Sequence, residues 1–299
     1  MMKYKRMLAH PVGDYSRIKS KDWPLYVQPK LDGVRCLIQT EYDPVYKAGV
    51  IKAYSRTGKE WKNIDHILKE LIPFFGEYPN IVLDGELYNH KLKNDFEKII
   101  SLVRKTKPTD DDRFESYEKV QFHCYDIIFG TDIPERPSSF HDFKYRNLFI
   151  KENLDNRFAS IKILPYGVVH NTEEIEVQHD LQKAAGYEGS ILRKNENYEC
   201  KRSWTLMKIK DFSDAEALIV GYEEGKGKRI GTLGKFVMQD EDGNQFGCPP
   251  GKGYNYKDLT DILNNVHDYI GQVATFTYFE RTKANSYRHP HYKALRNYE

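Results

Sequence analysis

The residue with the clearest chemical potential in this sequence is a lysine. Lys30 stands in Lys30-Leu31-Asp32-Gly33-Val34-Arg35, at the end of an apolar strand-like run, where an Asp-Gly turn exposes the amine to a pocket. A neutral lysine amine is a nucleophile. A free lysine carries its proton near pH 7, with a reference pKa of about 10.4, so neighbouring cations or desolvation must favour the neutral form before it can attack. Taken alone, such a string also fits a solvated hairpin tip. Four more motifs follow in order: Ser55-Arg56-Thr57-Gly58 after a strand, Leu83-Asp84-Gly85-Glu86 at a strand end, Glu188-Gly189-Ser190-Ile191-Leu192-Arg193 after a helix, and Trp204-Thr205-Leu206-Met207-Lys208-Ile209-Lys210. Chance does not produce that series. If the motifs converge, Arg35, Lys208 and Lys210 supply cations around Lys30. Glu86, a carboxylate at a buried strand end, needs a partner, which favours a functional role over a turn cap.

The elements that must hold these residues are short and rich in strands. Residues 25 to 39 read as two strands around the Asp32-Gly33 turn, and Ile81-Val82-Leu83 as a buried strand running into Asp84-Gly85-Glu86. Ile64, Ile67, Leu68, Leu71 and Ile72 recur at spacings of three and four, predicting a helix over 64 to 72 that ends before Pro73. Residues 104 to 119, with Pro108, Asp110, Asp111 and Asp112, read as a charged solvated loop, and Phe122 to Phe129 as a strong strand. Asn171 with Glu174 predicts a capped helix that runs to Gly186 and points at the Glu188 motif. After Asp211 the texture changes to strand-like runs at 215–222, 233–239 and 272–279, with a Gly-rich loop between the first two and one helical stretch near 256–264. Short strands at that density suit a small barrel of the OB kind, which places a domain boundary at 211. The whole is an α+β chain.

Composition narrows the function classes. The chain has 299 residues, of which 39% are hydrophobic and 30% charged, enough for one large core or two smaller ones. No apolar run approaches the eighteen or so residues of a membrane span, and the basic start Met-Met-Lys-Tyr-Lys-Arg has no apolar run behind it, so the expectation is a soluble cytoplasmic protein without a signal peptide. Cys36, Cys124, Cys200 and Cys248 form no CxxC pair, which predicts reduced thiols in place of a zinc site or a disulfide framework. His10, His66 and His170 lack metal spacing and read as structural. A net charge of +2 excludes a general basic coat. Lys3, Lys5, Arg6, Arg17, Lys19 and Lys21 outnumber Asp14 and Asp22, so the first segment fits either a polyanion contact or a solvated end.

The five ordered motifs resemble those of the covalent nucleotidyltransferases, and among them the small two-domain ATP-dependent DNA ligases of viruses and phages. The resemblance covers most of the chain. It implies an antiparallel-sheet nucleotidyltransferase domain, ATP-grasp-like, over 1–211, and an OB-fold domain over 212–299. It further implies that Lys30 attacks the α-phosphate of ATP and becomes adenylated, with Mg²⁺, or Mn²⁺ in its place, as the metal. In that family the position of Gln28 contacts the adenine edge, and those of Arg35 and Arg56 hold ribose and phosphate and later the 5′-phosphate of a nick. Asp32 resembles the carboxylate that orients the nick 3′-OH. Glu86 resembles the ribose-binding or metal-assisting glutamate, and Glu188 a glutamate that helps bind the metal. Tyr125, in Phe122-His123-Cys124-Tyr125-Asp126, takes the place of the aromatic that stacks on adenine, whereas Trp204 reads as core. Lys208 and Lys210 match the paired lysines on the α-phosphate. The same cations would stabilise phosphate charge in the transition state.

Near the C-terminus, Arg288-His289-Pro290-His291-Tyr292 resembles the family's R-F-P-R-F segment, with His291 in place of its second arginine. The following R-x-D-K pattern reads Arg296-Asn297-Tyr298-Glu299, where only the arginine survives. The resemblance implies that Arg288 and Arg296 orient pyrophosphate as the leaving group. The expected partner is nicked duplex DNA, gripped by the two domains themselves and read through phosphates and duplex shape. The basic loop Gly225-Lys226-Gly227-Lys228-Arg229-Ile230-Gly231 suits phosphate contacts as well as it suits a solvated tip. A monomer is expected, with a virus or phage product in the host cytoplasm as the setting. The rivals are a GTP-dependent RNA capping enzyme, an RNA ligase, and a non-catalytic OB protein that binds nucleic acid.

Overall fold

The computed structural model describes residues 5–12, 14–93, 95–129, 141–155, 157–281 and 285–296. The chain divides into two compact units, Met1–Lys210 and Asp211–Glu299. Among the described residues no helix is long and apolar enough to cross a membrane.

The first unit is built on two five-stranded sheets. One has, in spatial order, β1 (Leu8–Pro11), β10 (Arg202–Ile209), β9 (Gly189–Arg193), β2 (Leu25–Lys30) and β8 (Gly167–Val169). The other has β4 (Ala48–Tyr54), β3 (Val34–Asp43), β5 (Val82–Tyr88), β6 (Gln121–Ile128) and β7 (Ile161–Ile163). Neighbours run antiparallel except at two edges, where β1 pairs with β10 and β6 with β7 in parallel.

The two strands expected on either side of Asp32-Gly33 form, but not as a hairpin. β2 lies in one sheet and β3 in the other, so residues 31–33 carry the chain across between sheets. A Cβ at Gly33 would sit 2.5 Å from Glu86 Cγ and 2.7 Å from the Leu87 carbonyl oxygen, which is why this crossing needs a residue without a side chain.

Helices cover the second sheet and bury its core. The segment predicted as one helix over 64–72 is two, α1 (Asp65–Glu70) and α2 (Ile72–Glu77). Pro73 lies in the first turn of α2, where a missing N–H costs nothing because no intrahelical acceptor waits for it. Ile67, Leu71, Phe74 and Phe75 pack there with Leu102 and Val103 of α3 (Phe96–Val103) and with Ile150 and Leu154 of α5 (Phe143–Leu154).

The charged loop expected over 104–119 is corrected in its second half, where Asp110–Lys119 is helix α4. Thr109 accepts from the Asp112 N–H while Asp112 accepts from the Thr109 N–H, a reciprocal cap. The three aspartates face the positive end of the helix dipole. α6 (Thr172–Ala184) starts as predicted, with the Asn171 side chain accepting from Glu174 N–H at 2.8 Å, and Gly186 beyond its end has φ 88°. It covers the first sheet over a smaller core of Leu25, Val27, Ile175, Leu192 and Met207.

The second unit is a five-stranded antiparallel sheet ordered β13 (Gln245–Cys248), β12 (Leu233–Gln239), β11 (Ser213–Glu224), β14 (Val273–Tyr278), β17 (His291–Leu295). A parallel bridge between Pro250 and Tyr292 joins its edges, closing the expected OB barrel. Helix α7 (Tyr256–Asn264) places Ile262 against the barrel core of Ile219, Phe236, Met238 and Phe276. β15 (Glu280–Arg281) and β16 (Tyr287–Arg288) form a separate small pair. The cysteines are free thiols.

Candidate active site

In the first unit, β2 and β9 run antiparallel with Lys30 opposite Gly189, and the Glu188 N–H donates to the Lys30 carbonyl at 3.0 Å. This register makes the first and fourth sequence motifs direct neighbours. Gly189 has φ 152°, and a Cβ there would lie 2.2 Å from the Ile209 carbonyl oxygen, so its lack of a side chain lets the end of β10 close in with Lys208 and Lys210. The Lys30 ammonium donates to Glu188 Oε2, and Lys210 Nζ lies 3.3 Å from Glu188 Oε1. One carboxylate thus spans two lysines. Burial, then the charges of Lys30 and Lys210, lower the Lys208 ammonium below its ordinary pKa.

A cavity of about 250 Å³ opens beside Lys30. The structure brings Gln28, Arg35, Arg56, Glu86, Tyr125 and Lys208 to its lining, together with Leu8, Ala9, Ile191 and Arg202. Glu188 joins through its ion pair with Lys30, and Lys210 through its ion pair with Glu188. Asp32 does not line it: it sits half-buried in the 31–33 crossing, on the side of Tyr88, whose phenol is raised by burial and then by Tyr187 and Asp32. Arg288 and Arg296 belong to the second unit. The Arg288 guanidinium lies 5.6 Å from the Phe279 ring centroid, and Arg296 pairs with Glu216 of β11. Asn297 to Glu299 and Lys3 lie outside the described residues.

Several lining residues are held by partners that the sequence motifs did not reveal. Arg35 makes a two-pronged ion pair with buried Asp84, at 2.9 and 2.5 Å, and its third nitrogen donates to the Met7 carbonyl at 2.7 Å. The Tyr198 hydroxyl donates to the same aspartate at 2.7 Å and accepts from the Met7 N–H at 2.8 Å. Gln28, only 1% exposed, accepts from Arg193 Nε at 2.6 Å and donates to the Leu164 carbonyl at 3.2 Å. Arg193 in turn meets Asp126, which also binds Arg146. Burial pushes the Asp126 carboxyl up, but Arg146 and Arg193 outweigh it and hold it below the ordinary range. Arg193 was visible as the last residue of the Glu188 motif, and Asp84 and Asp126 as acids within quoted strings. Tyr198 carried no signal.

Tyr125 places its ring 5.8 Å from the Arg35 guanidinium carbon and 5.6 Å from that of Arg193, with its hydroxyl 3.5 Å from Glu86. Trp204, read as core, instead stacks on His10 at 4.0 Å with Arg17 at 5.2 Å, and is 36% exposed.

Burial raises the Glu86 carboxyl to about 8 against the pull of Lys30 and Arg35, with Asp84 and Glu188 adding to the rise. Such a carboxylate is short of positive charge. Magnesium binds through one or two carboxylates together with substrate phosphates and water. Glu86 and Glu188 fit that role, and among the described residues no group of three metal-binding side chains assembles into an all-protein cage.

Two sheets enclosing a lysine-bearing cavity, with an OB barrel later in the chain, form the architecture of the covalent nucleotidyltransferases. The ATP-dependent DNA ligase domain model matches residues 6–210, and the DNA ligase OB-like domain model matches residues 224–296. The chain belongs to the ATP-dependent DNA ligase family. It is 30% identical over 268 residues to a DNA ligase of African swine fever virus, covering 85% of this chain and 59% of the relative. To the DNA ligase of Enterobacteria phage T4 it is 24% identical over 309 residues, covering 90% of this chain and 62% of the relative. It therefore spans about three fifths of the length of these relatives. Its fold is similar to that of a solved structure from a study of Lig E DNA ligases as a minimal DNA-binding scaffold, with TM-score 0.72, 22% identity, and 99% and 100% of the two chains covered.

Proposed function

We propose that this protein is an ATP-dependent DNA ligase that seals nicks with a 5′-phosphate and a 3′-OH in duplex DNA. The observation that supports this best is the contact between Lys30 and Glu188 at the edge of a cavity that also holds Gln28, Arg35, Glu86, Tyr125 and Lys208.

Lys30 must lose its proton before it attacks, and Glu188, the carboxylate touching it, orients the amine. The Lys30 nitrogen then bonds to the α-phosphorus of ATP, and the bond to the bridging oxygen breaks to release pyrophosphate. Lys208 and Lys210 receive the charge that builds on the α-phosphate. Gln28 meets the adenine edge, Tyr125 its face, and Arg35, Arg56 and Glu86 the ribose and phosphate. Glu86 and Glu188 would hold magnesium, or manganese in its place, which supplies positive charge to the phosphates. The 5′-phosphate of the nick next takes AMP from Lys30, and the 3′-OH, oriented by Asp32, displaces AMP to close the strand. Residues 1–211 serve as the adenylation domain and 212–299 as the OB domain, where Arg288 and Arg296 orient the pyrophosphate. Exposed Lys226, Lys228 and Arg229 contribute phosphate contacts on DNA. The protein acts as a monomer.

The test is incubation of the protein and its Lys30→Ala variant with radiolabelled ATP or GTP and Mg²⁺, followed by denaturing electrophoresis and a chase with nicked duplex. Label from ATP that Lys30→Ala lacks, and that moves onto the nick, is the expected result. Label from GTP would assign capping chemistry, and an unlabelled protein whose mass shows no prior adenylation would sink the catalytic reading.

A further inference from the structure

The two carboxylates beside Lys30 come from different sheets: Glu86 stands on β5, and Glu188 immediately precedes β9. Something must fix their separation. Two residues past Glu86, on the same face of β5, the buried Tyr88 packs with Leu31 and Leu164 and with Tyr125 and Tyr187. Its hydroxyl lies 2.7 Å from His90 Nδ1, and His90 Nε2 lies 3.1 Å from the Ala185 carbonyl. A carbonyl only accepts, so Nε2 carries the hydrogen; in the neutral ring Nδ1 is then the acceptor and Tyr88 the donor. The His90 ring also lies against Tyr187, with centroids 4.5 Å apart and planes 30° apart.

Ala185 is the C-terminal cap of α6, where carbonyls lack intrahelical partners. Lys93 Nζ donates to the same oxygen at 3.0 Å. Gly186 follows with φ 88°, beneath Lys93, and Tyr187 and Glu188 come next in the chain. His90 therefore grips the segment leading to Glu188 at its carbonyl and at its aromatic ring, while its other nitrogen is tied to the strand that carries Glu86.

Building on the ligase reading, we infer that His90 is a positioning residue: through Tyr88 on one side and Ala185 and Tyr187 on the other, it sets Glu188 against Glu86 and Lys30 for self-adenylation. It does not line the cavity beside Lys30. Its effect falls on the rate of adenylyl transfer at saturating ATP, with ATP affinity left close to the native value.

The experiment measures single-turnover labelling of Lys30 with ATP across ATP and Mg²⁺ concentrations, for the wild type and for His90→Ala, His90→Gln and Tyr88→Phe, alongside their thermal unfolding midpoints. Misplacement of a reacting group by about 1 Å can cost on the order of 100-fold. His90→Ala is expected to lose roughly that in the maximal rate, to need more Mg²⁺, and to change the half-saturating ATP concentration by less than about threefold. His90→Gln, which can still donate to the Ala185 carbonyl, recovers part of the rate. Tyr88→Phe, which removes one oxygen, loses rate without the packing loss, and carries the test if His90→Ala fails to fold. Native rates in His90→Ala and Tyr88→Phe, or rates that fall only in step with the unfolding midpoint, would overturn the inference and leave the ligase reading intact. A wild type that takes no label would overturn the ligase reading itself and this inference with it.

Discussion

Arg35 shows how a side chain read as a nucleotide ligand is first of all part of a buried electrostatic knot. Its two-pronged pair with Asp84 leaves the aspartate 1% exposed, and Tyr198 and Met7 complete the ring of partners. Removing one partner of a buried pair strands the other charge away from water, at a cost of about 3 to 5 kcal/mol. Asp84→Asn should therefore lower the unfolding free energy of the first unit by roughly that amount. Urea denaturation measures it, and a loss below about 1 kcal/mol would mean that Arg35 finds compensation elsewhere. Because Met7 leads into Leu8 and Ala9 on the cavity wall, the same change should also loosen that wall. Glu86 sits near this knot and feels both of its charges: Arg35 opposes the rise of its carboxyl to about 8, and Asp84 adds to it.

At the scale of elements, the sequence signalled what is local and missed what is joined across distance. The Asn171 cap, the Gly186 stop and the strands around the Lys30 turn depend on a few adjacent residues, and each formed. Which sheet a strand enters is not local, so β2 and β3 read only as two strands around a turn, and they belong to different sheets. The links Arg35–Asp84 and Arg193–Gln28 span 49 and 165 residues, and no short string encodes them. Helix α4 was hidden for another reason. Phe114 and Tyr117 point outward at 68% and 56% exposure, so it shows no buried apolar stripe, and its clearest mark is the Thr109–Asp112 cap. If that cap is what starts the helix, Thr109→Ala should cost about 1 kcal/mol of stability while leaving Lys30 labelling unchanged. Circular dichroism during urea unfolding, run beside the labelling assay, reads both. Altered labelling would connect α4 to the site.

The whole molecule is two units with separate cores, one centred on the helix-covered sheet of β3 to β7 and the other on the barrel around Phe236 and Phe276. Chains of this kind need not unfold in one step, and a ligand stabilises whichever unit it binds. Every residue lining the cavity belongs to the first unit. AMP, which has only the α-phosphate, should therefore raise the unfolding midpoint of the first unit alone. Saturation at about 100 times Kd is worth about 2.7 kcal/mol. ATP carries the leaving pyrophosphate as well, and the proposal assigns that group to Arg288 and Arg296 of the second unit. In calorimetry of the Lys30→Ala variant, which cannot form the covalent adduct, ATP should shift both transitions and AMP only the first. Arg296 starts from a pair with Glu216, so engaging the triphosphate means exchanging one anion for another, and the second shift should be the smaller. Equal responses to the two nucleotides would remove the barrel arginines from the triphosphate site and leave Lys208 and Lys210 to stabilise the departing charge.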